Sequence, residues 1–588
     1  MDVPIECKPK KRGKQLQAEK KVGKEEFVVA CGFNKAFLLD RECKGRVLEV
    51  VKSVSNNIYR ASLAINLLIR ETLEADVEAP LDWLFDQTVV RQLMMGNGNK
   101  ECLPTDTHNR LLPILPAVAQ PPKGAANPFT AAAIMYIANW KTHLRERFAQ
   151  FQRSYFKLWF DEKLPEVPKN ERWKIQKMIE EDCEVEHDWQ TNDRVVREVG
   201  LHRAILGVCK FDVDNKENIS TILRYFYRLS LLSGKFFTLA PTKRIRCQFV
   251  DFDKTTMELM FGDSIVWKSP IKKKELTGLV STDGVSVRIH LYRPIRRALQ
   301  KPKRLRPKKA KITVPLDEKW EGVDKICAVD PGRTNILQVC KEDGSQWGWT
   351  RNQYYSECGL ILSSKKTERW NGKIQRQTNE LSEVHGRVLS VTDYNLHLAC
   401  VLRNYETMRS TLCHSKYGFN RLDIYTKKQR CVQKMLSKFD ENTTIAYGSA
   451  GFASGGKGEK SVPVVWVYAK LKKHRKVIDV NEFRTSIVDN RTKQFIGDVK
   501  SNDGDAVVSV RGLHWCPITN GCKFLNRDKN AAKNILELAL LEMKGAERPA
   551  VFCRQVKPAV RPNFVCLRQR AEVASRKHTD RVQSTRFG

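Results

Sequence analysis

The spacing of apolar residues changes twice along this chain of 588 residues, and each change limits what the next stretch can fold into. From 45 to 235 they recur at helical spacing. Asn127-Pro128 reads as an N-cap with proline at the first helical position, opening a long helix towards 160. Further helices are expected at 45–75, 173–181, 193–208 and 218–232, with a polar, proline-rich connection at 97–123. The period then falls to two. Gln248-Phe249-Val250-Asp251-Phe252, Met257-Glu258-Leu259-Met260-Phe261 and Val285-Ser286-Val287-Arg288-Ile289-His290-Leu291 read as strands, with Asp283-Gly284 as a turn. Together with a lone strand at 26–33 they are expected to close one small barrel.

From 325 onwards short apolar runs alternate with helical stretches. Lys325-Ile326-Cys327-Ala328-Val329-Asp330-Pro331-Gly332-Arg333 is a buried-strand run ending in a carboxylate at a tight turn. Strands follow at 336–339 and 346–350, and helices at 392–411 and 422–439. Thr443-Thr444-Ile445-Ala446-Tyr447 is another strand, followed by a Gly/Ser-rich loop at 448–458. A helix at 464–474 leads into the strand Val477-Ile478-Asp479-Val480-Asn481-Glu482. The last helix opens in Leu525-Asn526-Arg527-Asp528-Lys529-Asn530-Ala531-Ala532-Lys533-Asn534-Ile535-Leu536. Three strands, helices, a further strand and a terminal helix describe a mixed α/β layer fold.

The net charge of +36 at pH 7 exceeds what solubility requires. It points to a polyanionic partner, nucleic acid rather than a membrane surface. No apolar run approaches the length of a bilayer span, so no membrane association is expected. Seventeen scattered cysteines suit a reducing compartment better than a disulfide scaffold. The basic stretch 293–311 is broken by Pro302 and Pro307 and carries no acid. It suits an extended linker lying along phosphates, with Arg304, Arg306, Lys308 and Lys309 as candidate contacts; a solvated linker is the alternative. Lys8-Pro9-Lys10-Lys11-Arg12-Gly13-Lys14 is similar to a nuclear import signal, and a nuclear location is expected on that ground; a solvated or RNA-contacting tail would look the same.

Three acids stand where α/β folds place active sites: Asp330 ends a strand, Glu482 ends a late strand, and Asp528 opens the last helix. A carboxylate in the position of Asp528 is either a cap for free backbone N–H groups or a metal ligand facing a cleft. As hard oxygen donors the three suit Mg²⁺, with Mn²⁺ as a substitute. Two such ions about 3.5–4 Å apart activate a water and stabilise the leaving oxygen of a phosphodiester. In a chain of this charge the set favours a nuclease.

Ala328-Val329-Asp330-Pro331-Gly332 resembles the first motif of a RuvC nuclease domain, and Asn526-Arg527-Asp528-Lys529-Asn530-Ala531-Ala532 resembles the third. Their form is similar to the Fanzor and TnpB RNA-guided nucleases, relatives of the type V CRISPR effectors. The resemblance implies a multidomain α+β chain whose RNase H-like (RuvC) α/β domain follows a β-barrel wedge domain with an inserted helical recognition domain. The expected divisions are a disordered basic tail 1–24, wedge 25–44, helical domain 45–235, wedge barrel 236–292, basic linker 293–320, RuvC domain 321–545 and basic tail 546–588.

Two departures from that pattern are informative. In TnpB a glutamate directly follows the strand that here reads Ile445-Ala446-Tyr447, but this chain has Gly448. Fanzors carry the glutamate on a later strand before a Thr-Ser pair, as in Glu482-Phe483-Arg484-Thr485-Ser486, with Asp479 as the competing acid. The family also carries two cysteine pairs around a zinc. Asp489 and Thr492 stand where the first pair would be, and Cys516 and Cys522 remain, with His514 nearby. Two thiolates do not close a tetrahedral site, so a degenerate finger held by packing is expected around 486–525 in place of bound zinc.

The resemblance implies a monomeric ribonucleoprotein in which a guide RNA (omega RNA) selects double-stranded DNA beside a short adjacent motif. One RuvC centre with catalytic and metal-binding Asp330, Glu482 and Asp528 would cut both strands. An RNase H-like transposase or integrase, and an inactive nucleic-acid binder, are the alternatives.

Overall fold

The computed structural model describes residues 24–32, 41–95, 105–111, 113–120, 122, 124–181, 193–206, 218–261, 275–294, 319–449, 461–503, 506–516, 523–554 and 565–567. The basic cluster at 8–14, the linker cations Arg304, Arg306, Lys308 and Lys309, the stretch 450–460, Cys522 and the tail from 568 lie outside them. The chain divides into two compact units, Met1–Gln300 with Lys365–Leu422, and Lys301–Ser364 with Asp423–Gly588.

The first unit begins with β1 (Lys24–Gly32), α1 (Arg41–Ala75), α2 (Gln87–Met95) and α3 (Thr105–Leu111). It continues with α4 (Ala126–Lys163), α5 (Arg172–Glu181), α6 (Asp193–Leu206) and α7 (Ile219–Ser233). After these come β2 (Val250–Phe252), α8 (Lys254–Phe261), β3 (Glu275–Thr282) and β4 (Ser286–Pro294). The middle of α1 is buried all round, which is how a helix at the centre of a bundle reads.

Buried α1 side chains bond to the backbone of the proline-rich stretch beside them. Asn57 Nδ2 donates to Ala119 O (2.8 Å) while its Oδ1 accepts from Ala119 N (2.9 Å). Asn56 Nδ2 donates to Ala117 O (2.9 Å), and Arg60 donates to Pro116 O.

Three expectations change in this unit. Helix α4 starts at Ala126, so Asn127 is inside it and Pro128 falls in the first turn, where its missing N–H costs nothing. The segment Met257 to Phe261 belongs to helix α8, not a strand. Asp253 Oδ1 accepts from Thr256 N (2.8 Å) at its mouth, and Met257 and Met260 are buried three residues apart while Leu259 is 66% exposed. The sheet is open among the described residues, with order β1-β4-β3-β2 and no pairing of β1 with β2. The Asp283-Gly284 turn stands as read. Gly284 has φ +83°, and Asp283 Oδ1 accepts from Ser286 N (2.8 Å).

The second unit opens with β5 (Lys325–Pro331), β6 (Asn335–Lys341), β7 (Gln346–Thr350) and α9 (Arg351–Glu357). The chain passes to the first unit within α10 (Leu360–Asn371), contributes α11 (Gln375–Glu383) and α12 (Val391–Leu412) there, and returns within α13 (Ser415–Leu436). Residues 365–422 are thus not part of a continuous 321–545 domain. In the first unit Tyr394, Leu398, Val401 and Tyr405 join the core of α1 and α4. Arg70, fully buried, donates Nε to Val388 O (2.8 Å) with its guanidinium 4.0 Å from the Tyr394 ring centre.

The second unit resumes with β8 (Thr443–Gly448), α14 (Val464–His474), β9 (Val477–Val480), β10 (Gly497–Asp503), β11 (Ala506–Cys516) and β12 (Lys523–Asn526). It ends with α15 (Arg527–Met543) and β13 (Val565–Leu567). One sheet has order β7-β6-β5-β8-β9, with β5, β8 and β9 parallel and β6 and β7 antiparallel to their neighbours. It is buried on both faces. Val432, Met435, Leu436, Val467 and Leu471 cover one face, and Ala532, Ile535, Leu536 and Ala539 of α15 cover the other. The second sheet, β12-β11-β10-β13, occupies much of the region expected to be a degenerate finger.

Candidate active site

Parallel strands end together, and three of them set this site. Register pairs Val329 with Tyr447 and Gly448 with Val480, so the ends of β5, β8 and β9 share one edge of the sheet. Asp330 is the penultimate residue of β5, and Glu482 follows β9 by two residues. Helix α15 packs its fully buried Ala531 and Ala532 towards that sheet, and small side chains permit the close approach. The cap of α15 is Asn526, whose side chain accepts from Lys529 N (3.0 Å), so Asp528 is not the cap. Its Oδ2 instead accepts from Asn335 Nδ2 (2.7 Å), at the start of β6.

Burial, then the charges of Asp528 and Glu482, hold the Asp330 carboxyl well above the usual carboxylate range; Arg527 opposes them weakly. Asp330 therefore feels the charge of both other acids expected from sequence, at one end of the sheet. Among the described residues no three acidic, histidine or cysteine side chains close into a ready metal shell. The donor set itself is what Mg²⁺ or Mn²⁺ takes.

Gly448 leaves room for Glu482. A Cβ built on Gly448 would overlap Glu482 Oε2 and stand 3.1 Å from Pro331 Cδ. The carboxylate of Glu482 thus occupies the space that a side chain at 448 would enter. Asp479, the competing acid, is exposed and already engaged: Tyr468 Oη donates to its Oδ1 (2.6 Å) and Lys472 Nζ to its Oδ2 (3.3 Å).

The turn after Glu482 is fixed at several points. Thr485 donates both N (3.2 Å) and Oγ1 (2.9 Å) to Glu482 O. Arg484 adopts φ +66° and donates to Val551 O (3.1 Å). From α15, Asn530 donates Nδ2 to Val488 O (2.7 Å) and accepts from Asn490 N (2.9 Å). Asn534, fully buried one turn on, donates Nδ2 to Thr485 O and Val488 O, both at 2.8 Å. The helix that carries Asp528 therefore also holds the loop that carries Glu482. The sequence reading passed over both asparagines. Their signal was two amides four residues apart on an otherwise apolar face.

The residues expected at the degenerate finger are arranged differently. Asp489 and Thr492 lie in a tight hairpin closed by the Val488–Phe495 bridge, and Asp489 Oδ1 accepts from Arg491 N (2.8 Å). Cys516 is buried at the end of β11 opposite Lys523. His514 Nδ1 stands 3.2 Å from Asp498 Oδ1, and Cys553 Sγ lies 3.7 Å from Pro549 O.

No protein-family model matches the sequence, and no curated protein matches it. Among solved structures the chain is similar to the crystal structure of an AacC2c1–sgRNA binary complex, at 10% identity and a TM-score of 0.34, covering 88% of this chain and 89% of that one. It is also similar to the AacC2c1–sgRNA–extended non-target DNA ternary complex, at 10% identity and a TM-score of 0.32, covering 89% and 91%. Scores of this size carry no argument about fold or function, so the case for the site rests on its own residues.

Proposed function

We propose that the chain is a Fanzor- or TnpB-like RNA-guided DNA endonuclease, a metal-dependent phosphodiester hydrolase. The observation that carries this reading is the convergence of Asp330, Glu482 and Asp528 at one end of a five-stranded sheet in a chain of net charge +36. The order β7-β6-β5-β8-β9 supports an RNase H-like, RuvC-type domain. The space over Gly448 supports a shifted third acid.

In this reading Asp330, Glu482 and Asp528 hold Mg²⁺, or Mn²⁺ in its place. When bound, the ions supply an activated water and neutralise the leaving oxygen. The chain's own part is to keep three carboxylates on one edge. Asn335 orients Asp528, and Asn530 and Asn534 fix the Glu482 loop. A guide RNA supplies sequence specificity by base pairing, and the protein grips the heteroduplex by its backbone. Double-stranded DNA beside a short motif is the target, and a nuclear, monomeric ribonucleoprotein is the working form.

The test is to sequence the RNA that co-purifies with the full chain, then offer matching DNA with Mg²⁺. A defined RNA with a structured scaffold and a variable end is expected. Asp330→Ala and Asp528→Ala should each abolish guided cleavage while leaving RNA binding within about twofold. DNA processing that needs no RNA and depends on particular DNA ends would indicate a transposase instead. Near wild-type cutting by either variant would remove that acid from the site.

A further inference from the structure

The first unit contains a cavity of about 400 Å³ that the nuclease reading does not use. Its wall on α4 follows from helical spacing. Arg153, Phe156, Lys157, Phe160 and Asp161 recur at three- and four-residue steps and so share one face. Phe156 and Phe160 are each 2% exposed and form an apolar floor. Opposite them, at the start of α5, stand Arg172 and Trp173, with Lys169 in the connecting turn.

Arg172 is fully committed to this architecture. It pairs with Asp161, donates Nε to Val167 O (3.1 Å), and lies with its guanidinium 5.4 Å from the Phe160 ring centre. With Asp161 neutralised, Arg153, Lys157 and Lys169 face the cavity, and among the described residues no other acid lines it. Trp173 is 59% exposed, although tryptophan is a residue that folding normally covers.

We propose that this cavity receives one unstacked nucleotide of a single-stranded nucleic acid, its base on the Trp173 ring and its phosphate among Arg153, Lys157 and Lys169. The proposal rests on the reading of the chain as a nucleic-acid-binding protein and adds a site to it. An open indole beside three cations is the combination that single strands use, stacking for the base and charge for the backbone. The volume suits a ligand of nucleotide size. A duplex keeps its bases stacked on each other and cannot offer one to Trp173. An acidic peptide would satisfy the cations but would leave the flat aromatic face without a matching group.

The experiment uses the full chain with Asp330→Ala, so that bound strands stay uncut, freed of co-purifying RNA. Twenty-nucleotide single-stranded RNA and DNA, and a duplex of the same sequence, are titrated by fluorescence anisotropy. Trp173→Ala is expected to weaken single-strand binding about tenfold and Trp173→Phe to restore most of it, with duplex binding changed less than twofold. Lys157→Glu with Lys169→Glu should also weaken single-strand binding and flatten its salt dependence. Strands bearing 5-iodouridine or 5-iododeoxyuridine should cross-link to the peptide containing Trp173; whichever strand does so names the occupant, and either supports the proposal. Lys157, Lys169 and Trp173 are exposed, so substituting them should not change thermal unfolding relative to Asp330→Ala alone.

Binding that is intact in Trp173→Ala, with cross-links confined to other peptides, overturns the pocket and leaves the nuclease reading standing. Competition by polyglutamate without any cross-link at Trp173 would assign the cavity to an acidic peptide and also overturn it. Failure of every oligonucleotide to bind would overturn both.

Discussion

Asn57 in the first unit and Asp330 in the second are both polar side chains withdrawn from water, and their surroundings are opposite. Asn57 is fully buried, and both ends of its amide are matched by Ala119, with Asn56 Nδ2 adding a further bond at 2.9 Å. Asp330 faces two more carboxylates, Asp528 and Glu482, and among the described residues Arg527 acts against their combined charge. The first arrangement answers each donor with an acceptor and stabilises the bundle. The second concentrates one sign of charge in a partly dry place and costs stability unless a cation comes. Where a fold accepts such a cost, a binding or catalytic role is the economical explanation.

The largest effects should come from breaking the charged arrangement. Glu482→Gln keeps the size and removes the charge, and is expected to reduce guided cleavage by about a thousandfold or more with RNA binding intact. Gly448→Ala tests the same point without touching an acid. The new Cβ would displace the far end of the flexible Glu482 side chain and press lightly on the Pro331 ring, 3.1 Å away, so the protein should fold with at most a small loss of stability. The displaced carboxylate should lower the cleavage rate about a hundredfold, since a shift of about 1 Å can cost that much. Gly448→Glu is informative only beside Glu482→Gly, because a glutamine at 482 would still fill the shared space. Normal cutting by Gly448→Ala would show that Glu482 does not act from the position seen here.

A smaller effect, read in stability, sharpens the contrast itself. Asn57→Ala leaves the Ala119 backbone groups unmatched and should cost about 2–3 kcal/mol. Asp330→Asn should do the reverse, raising the unfolding temperature by a few degrees in metal-free buffer. Mg²⁺ should stabilise the unsubstituted chain and have little effect on Asp330→Asn. Thermal unfolding with and without Mg²⁺ checks all of these. A destabilised Asp330→Asn would mean that its carboxylate is held by partners after all.

How much of this was legible in the sequence depended on whether the determinant was local. The strands of the five-stranded sheet could be read because each apolar run stops at an acid, a glycine or a turn. Helix α8 was misread because five residues, Met257 to Phe261, are too few to separate period two from period three without Asp253 as the cap. The placement of 365–422 could not be read at all. It depends on partners more than 300 positions apart, such as Arg70 with Val388. The three acids singled out in the sequence lie together at one end of the sheet. Gly448 was read only as a missing ligand, whereas its lack of a side chain makes room for Glu482.

The asparagines of α15 test whether neutral, buried amides that bond to backbone, as Asn57 does, also support the charged site. Asn534→Leu retains the volume but loses two bonds to Thr485 O and Val488 O. It should cost about 2 kcal/mol and lower cleavage about tenfold, through a looser Glu482 loop. Because Asn534 is not proposed to touch metal or DNA, excess Mg²⁺ should recover part of the activity. An unchanged cleavage rate in a destabilised variant would confine Asn534 to packing.

The smallest effect is expected at Asp479, and its smallness matters because this acid lies three residues before Glu482 on the same chain segment. Strand β9 alternates its side chains, with Ile478 and Val480 buried and Asp479 exposed. Its two oxygens are taken by Tyr468 and Lys472 of α14, so its charge is answered locally. An exposed pair of this kind contributes at most about 1 kcal/mol. Glu482 lies beyond the strand, where the chain has turned and where its carboxylate reaches the space over Gly448. Asp479→Asn should therefore cut within about threefold of the unsubstituted rate and unfold within a degree or two of it. Should Asp479→Asn be inactive while Glu482→Gln cuts normally, the acids will have been assigned in the wrong order along this strand. Lys472 would then have to release Asp479 before any ion could be held.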